Sequence, residues 1–320
     1  MIRRIFFGVL LTAFGLIGCS DRSEPGSQSA PPSEAAAADP APDVATDRLP
    51  VIATYSILGD WIRRVGADDV QVYTLVGPGG DAHTYEPVPQ DSVALTKARL
   101  IFENGLGFEV WLDDLFETSE SKAHRVVVTA GFSPRTVPNT EGKTEPDPHV
   151  WHDPHLTEQM VRAISAALGE TDPPRSANYQ QRSDEYIREL QSLDSEIRQQ
   201  VAAIPTDRRQ LVTTHDTFGY FAERYGFQVS SVMGTISSEA ADPSAAQIAE
   251  IVNHLRSSRI NAVFAENILN PQVTEQVAAE AGVNIVRTLF TDALGDAGSE
   301  GDTYLRMMRS NVKNIVEALR

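Results

Sequence analysis

Two hydrophobic rhythms alternate along this chain. Short, mostly apolar runs rich in β-branched residues read as strands at 50–55 (PVIATY), 70–76 (VQVYTLV), 99–102 (RLIF) and 125–129 (RVVVT). A second group follows at 211–214 (LVTT), 227–233 (FQVSSVM), 262–265 (AVFA) and 283–289 (VNIVRTL). Between the groups the period changes. Tyr186, Leu190, Leu193, Ile197, Val201 and Ile204 recur every three or four residues, the stripe of an amphipathic helix. Asp172 before Pro173 is the expected N-cap and first-turn pair, and Pro205 the stop. A last helix is expected over Tyr304, Met308, Val312, Ile315 and Leu319, capped by Asp302. Strands alternating with helices predict the α/β class. We expect an N-terminal lobe at 49–171, a single long linking helix at 172–205 and a C-terminal lobe at 206–320.

The start of the chain follows other rules. Arg3 and Arg4 precede an apolar run from Ile5 to Ile17, and Leu16-Ile17-Gly18-Cys19 closes it. That run is too short for a bilayer core of about 30 Å, which needs about 20 residues. Residues 1–18 therefore read as an export signal whose end resembles a bacterial lipobox, with Cys19 as the lipidated first residue of the mature protein. Cys19 is the only cysteine, which excludes an intramolecular disulfide and a thiolate metal cluster. Residues 19–48 are Ser, Ala, Pro, Asp and Glu with almost nothing large and apolar, the composition of a solvated tether. No later segment is apolar enough to span a membrane.

The net charge of −17 becomes two units more negative when Arg3 and Arg4 leave with the signal. So acidic a chain lacks the basic footprint of a nucleic-acid binder. It raises the local concentration of cations, although solubility explains such a charge equally well.

The candidate chemistry sits in loops. His83 lies in the turn-rich segment Gly77 to Pro87, directly after a strand, where open α/β sheets bind ligands. Asp147-Pro-His-Val-Trp-His-Asp-Pro-His155 offers three histidines, but Pro148 and Pro154 rule out one continuous helix through them, so one is expected to be a ligand. Asp147 or Asp153 can orient an imidazole through its second nitrogen. A strand runs into His215, and Asp216 beside it can cap the helix that follows or support the site. Another strand delivers Asp292. Imidazoles and a carboxylate carried by separate strand-end loops suit zinc or a neighbouring divalent ion.

Taken together, these segments resemble a family: the metal-binding lipoproteins of ABC-type importers, the zinc and manganese receptors called TroA-like or cluster A-I. The matching pieces occur in the family's order: GGDAHTYEP around His83, DPHVWHDP around His149, THDTFGYF around His215, the segment Glu239 to Gln247, FAEN around Glu266, LFTDALG around Asp292, and the closing stretch GDTYLRMMRSNVKNIVEAL. The resemblance implies two α/β lobes bridged by a rigid helix, with one metal in the cleft between them. Carried over by position, His83 and His149 come from the first lobe, and His215 and Asp292 from the second. Glu266 joins Asp147, Asp153 and Asp216 as a candidate supporting carboxylate. His152 stands where the motif often has an apolar residue and is read as a neighbour. Some manganese-selective members carry glutamate at the position of His215. The His-rich loop of several zinc receptors is missing, since residues 131–146 contain no histidine.

Three imidazoles and a carboxylate favour Zn(2+), while bidentate binding by Asp292 would raise the coordination to five and suit Mn(2+) or Fe(2+). The expected role is a monomeric receptor that is tethered outside the cytoplasm through Cys19, binds no nucleic acid and serves an ABC-type permease. Other classes remain: a secreted zinc hydrolase, which would keep an open coordination position for water, or a surface adhesin, which needs no metal site. Neither an HExxH segment nor a nucleophile elbow is present to support the hydrolase.

Overall fold

The first group of apolar runs forms β1 (Leu49–Tyr55), β2 (Val70–Val76), β3 (Leu100–Glu103) and β4 (His124–Val127), interleaved with α1 (Ser56–Gly66), α2 (Pro89–Lys97) and α3 (Leu112–Ser119). The computed structural model describes residues 47–138, 143–232, 244–257, 260 and 262–320. The expected export signal, Cys19 and nearly all of the tether lie outside them, as do Met233 and the first half of the Glu239 to Gln247 segment. After β4 come a short hairpin, β5 (Thr136–Pro138) and β6 (Thr144–Pro146), then α4 (Pro154–Thr171) and α5 (Ser176–Val201). The rest of the chain forms β7 (Gln210–Thr213), α6 (Gly219–Tyr225), β8 (Gln228–Ser231), α7 (Ala245–Ser257), β9 (Ala262–Glu266), α8 (Gln272–Ala281), β10 (Asn284–Leu289) and α9 (Tyr304–Leu319).

Two four-stranded sheets result, ordered β2-β1-β3-β4 and β8-β7-β9-β10, with every pairing parallel. The two orders are the same: in each sheet the first strand lies between the second and the third. Connections diverge there, which opens a crevice at the carboxyl ends of the strands. Strands β3 and β9 are buried along their whole length, which explains why they read as unbroken apolar runs rather than alternating ones.

Helix α5 buries Tyr179, Tyr186, Ile187, Leu190, Leu193, Ile197 and Val201, and packs against α1, α4 and α9. One apolar cluster runs through both lobes, from Val51, Trp61 and Phe102 to Phe218, Phe264 and Leu289. A smaller one, around Val212, Leu255 and Val263, serves the second sheet alone. The closing helix α9 reaches the first lobe, with the Tyr304 ring edge-on to Trp61 at 5.3 Å and the Tyr304 N–H donating to Asp60. The described residues form the larger part of one compact unit, and among them no helix is long and apolar enough to cross a membrane.

Both expected helix caps are corrected. Pro173–Arg175 form a 3-10 turn, α5 begins only at Ser176, and the Asp172 carboxylate instead accepts from Arg175 and the Tyr179 hydroxyl. Thr303 precedes α9, while Asp302 accepts from the Gly298 N–H and pairs with Arg306. In each case an arginine one turn away competes with the helix end for the carboxylate.

Candidate metal centre

Each of the four predicted donors is set by its own loop. His83 follows β2 through a turn in which Gly79 adopts φ +70°, a conformation that disfavours other residues. Asp81 accepts from the His83 N–H at 2.9 Å, Trp111 Nε1 donates to the Ala82 carbonyl, and the Gly79 N–H donates across the cleft to the Leu294 carbonyl. His149 follows β6, with the Asn104 amide donating to the Pro148 carbonyl at 3.1 Å. His215 lies two residues beyond β7, where Thr213 Oγ1 donates to its carbonyl. Asp292 lies beyond β10, its loop gripped on both sides: Asn267 accepts from the Thr291 N–H and donates to the Ala293 carbonyl, both at 3.1 Å.

The structure brings these four side chains together. Each offers one donor atom, all within 4.8 Å of one another, and all four residues are buried. His83 Nε2 lies 3.3 Å from His149 Nε2 and 3.4 Å from Asp292 Oδ2. His215 Nε2 lies 3.1 Å from Asp292 Oδ2, and His149 Nε2 3.7 Å from Asp292 Oδ1. Four donors about 2.0–2.1 Å from a tetrahedral ion lie roughly 3.3 Å apart, so the cage is already of ligand dimensions.

Two imidazoles are backed by carboxylates. Asp147 Oδ1 lies 2.8 Å from His149 Nδ1 and also accepts from the His149 N–H at 3.0 Å. Glu266 repeats the arrangement on His215: Oε1 accepts from the His215 N–H at 2.9 Å, and Oε2 lies 2.6 Å from Nδ1. This last approach is an ion-pair contact outside hydrogen-bond alignment. A carboxylate behind an imidazole fixes its tautomer and turns the other nitrogen toward a metal. Replacing Glu266 by glutamine is expected to weaken zinc binding by about 10–100-fold, read by chelator competition.

The other two supporting candidates go elsewhere. Asp153 caps α4, accepting from the His155 N–H at 2.8 Å, and pairs with Arg224 at 3.0 Å. Among the described residues the buried Asp216 Oδ1 has no hydrogen-bond partner, and none of the imidazoles is bonded to it. Nor does it cap a helix, since α6 begins at Gly219. His155 is exposed on α4. His152 is buried against the Phe218 ring at 4.3 Å, and its Nε2 lies 3.2 Å from Thr217 Oγ1, which donates to Asp292 Oδ1. It is thus a neighbour of the cage rather than a member.

The charges are strongly coupled. Burial alone would lower the His149 imidazole, but the Asp292 and Asp147 carboxylates override it and raise its pKa to about 9. His215 is likewise pushed up against its burial by Glu266 and Asp292. Burial would raise Asp292, yet His215 and His149 hold it well below the usual carboxylate range. His152 moves the other way, down to about 3, through burial and then the neighbouring His149. The cage thus sets an anionic Asp292 against the His149 and His215 imidazoles, which it makes harder to deprotonate.

Asn104 and Asn267 were not singled out from the sequence. Each follows a glutamate at the end of the third strand of its sheet, and each holds the loop that bears a donor. The repeated Glu-Asn after an apolar run (Glu103-Asn104, Glu266-Asn267) was the available signal.

The family model described as zinc-uptake complex component A, periplasmic, matches residues 51–318. Among curated relatives, the manganese-binding lipoprotein MntA of Halalkalibacterium halodurans is 33% identical over 271 residues, covering 85% of this chain and 88% of that protein. The zinc-binding protein TroA of Treponema pallidum is 33% identical over 287 residues, covering 87% and 91%. The solved structure of the periplasmic zinc-binding protein TroA from Treponema pallidum superposes with a TM-score of 0.79 at 30% identity, over 85% of this chain and 99% of that one. A Mn-bound periplasmic metal-binding protein from Candidatus Liberibacter asiaticus gives 0.76 at 26% identity, over 84% and 99%.

Proposed function

This chain belongs to the family of periplasmic component A proteins of zinc-uptake complexes, and from that premise we propose that it is an extracytoplasmic receptor capturing one divalent metal ion for an ABC-type import permease. The cargo ligands are His83, His149, His215 and Asp292. The observation that carries this reading is the cage itself: four buried donor atoms within 4.8 Å, drawn from both lobes. Cys19 anchors the mature chain to a membrane, and residues 20–48 act as its tether. The chain binds metal without turnover. Four protein donors close the coordination shell, whereas catalytic zinc keeps one position for water.

Zinc is the preferred cargo, because three neutral imidazoles and one carboxylate form a nitrogen-rich tetrahedral set. A manganese reading has one observation in its favour. Asp292 turns Oδ2 toward His83 and His215 while Oδ1 faces His149 at 3.7 Å, so both oxygens border the cage. Competition titration of the purified protein tests both readings. We expect one ion per chain and zinc displacing manganese. Manganese held against equimolar zinc would reverse the preference, and no stoichiometric uptake of either would remove the receptor assignment.

A further inference from the structure

Arg135 lies in the loop between β4 and β5, outside the donor set, yet its guanidinium reaches the metal centre through a single residue. Arg135 Nη1 donates to Asp147 Oδ2 at 2.6 Å, and the opposite oxygen of that carboxylate holds the His149 imidazole at 2.8 Å. Arg135 also reaches into the second lobe. Its Nε lies 3.2 Å from Glu223 Oε2, and its guanidinium lies over the Tyr220 ring, 5.5 Å from the centroid, both on α6. The Tyr220 hydroxyl closes the loop, accepting from the Arg135 N–H at 3.0 Å and donating to the Asp147 carbonyl at 2.9 Å.

An independent observation concerns Gly219, the first residue of α6. A Cβ built there would collide with Arg135 Nη1 and lie 2.8 Å from Asp147 Oδ2. The guanidinium therefore occupies the space a side chain would fill, pressed against the backbone of the other lobe. A cleft lined by Ser133, Leu156, Tyr220 and Arg224 opens beside it, and Arg135 is about one-third exposed, while Asp147 is fully buried.

We infer that Arg135 is a positioning residue of the metal centre: it ties α6 of the C-terminal lobe to Asp147, so that His149 is held for the metal only while the lobes are joined at that point. With Arg135 in place, both oxygens of Asp147 are committed and the carboxylate cannot turn. If the lobes part at α6, Arg135 loses Tyr220, Glu223 and the Gly219 surface together. The guanidinium, no longer held in place from the other side, can then swing away from Asp147 Oδ2, and a carboxylate that loses its cation is free to reorient. The imidazole hydrogen-bonded to Oδ1 moves with it. Lobe separation and loss of a metal ligand become one event, a route for release once the receptor is pried open. This inference rests on the reading of His149 as a cargo ligand.

The test uses the full mature chain with Arg135→Met, Arg135→Lys and Gly219→Ala, beside His149→Ala. Zinc dissociation is followed with a chelator trap, and the visible spectrum of the Co(II)-loaded protein reports coordination geometry. Arg135→Met is expected to release zinc about 10–100-fold faster, the range for loss of a group that orients a ligand, with a changed Co(II) spectrum. Arg135→Lys should recover part of the loss, since an ammonium keeps the charge but not the planar fork. Gly219→Ala should shift both readouts in the same direction by displacing the guanidinium with every charge retained. Release within about twofold of the parent and an unaltered Co(II) spectrum in both Arg135→Met and Gly219→Ala would overturn the inference. Should Arg135→Met fail to fold, Gly219→Ala decides alone. His149→Ala separates the two levels: parental zinc affinity in that variant would refute the ligand reading itself, whatever Arg135 does.

Discussion

Replacing His215 by alanine is expected to weaken zinc binding by on the order of 100- to 1,000-fold. Tight structural zinc sites are worth roughly 10–16 kcal/mol, and dividing that among four ligands gives about 2.5–4 kcal/mol for each. His215 should lie at the upper end. Its imidazole is fully buried between two carboxylates, with Nε2 3.1 Å from Asp292 and Nδ1 2.6 Å from Glu266. Truncation leaves no nitrogen to replace it and two buried anions facing a void. The metal-free protein should also lose stability, because removing one partner of a buried charge pair costs about 3–5 kcal/mol. Chelator competition reads the first effect and denaturant unfolding of the metal-free form the second. His124 and His254 are exposed, so His124→Ala and His254→Ala should bind like the parent. Equal losses at all three histidines would contradict the site.

Acidification provides the second large effect. Lowering the pH from 8 to 6 is expected to weaken zinc binding by on the order of 100- to 10,000-fold, up to tenfold per pH unit for each proton displaced. The sign follows from the raised imidazoles. His149 titrates at about 9 and His215 is raised as well, so both carry a proton in the metal-free protein across this window. Only the neutral ring binds a metal, so zinc must expel those protons. Binding therefore strengthens as pH rises, and the proton on His149 ceases to oppose it above about 9. His152, held neutral by its pKa of about 3, adds nothing. Calorimetry in buffers of different ionisation heat counts the released protons. An affinity flat between pH 6 and 8 would contradict the coupling between imidazoles and carboxylates.

The parts of the fold that repeat a period were legible from residues alone. Buried parallel strands are apolar on both faces, so β1, β3 and β9 stand out as runs, and α5 stands out because its buried residues recur every three or four positions. The hairpin β5–β6 was not legible. Its strands have three residues each, with prolines at Pro138 and Pro146, and one buried side chain, Val137, is too little pattern to read. The caps failed for a related reason: Asp172 and Asp302 sit at helix starts in sequence, but nearby arginines take their carboxylates.

The site divides the same way. His83, His215 and Asp292 could be named because chemistry-bearing residues stand in loops after strands, whereas only the family resemblance separated His149 from His152 and His155. Asp147 and Glu266 could be proposed as imidazole partners, but nothing along the chain distinguished Asp147 from Asp153, each of which precedes a proline. What separates them is spatial. Asp147 turns back onto His149, whereas Asp153 faces the start of α4 and Arg224. Asn104, Asn267 and Arg135 act through contacts with residues distant in sequence or across the lobe boundary, and such partners become visible only once the sheets are assembled.

A receptor of this kind requires loops of two lobes to converge on one ion and enclose it with three imidazoles and a carboxylate. X-ray absorption at the zinc edge of the stoichiometrically loaded protein tests it most directly. A shell of low-atomic-number donors is expected at about 2.0–2.1 Å, with the outer scattering of three imidazole rings and a carboxylate oxygen completing the set. A shell dominated by water oxygens, or one with fewer than three imidazoles, would contradict it.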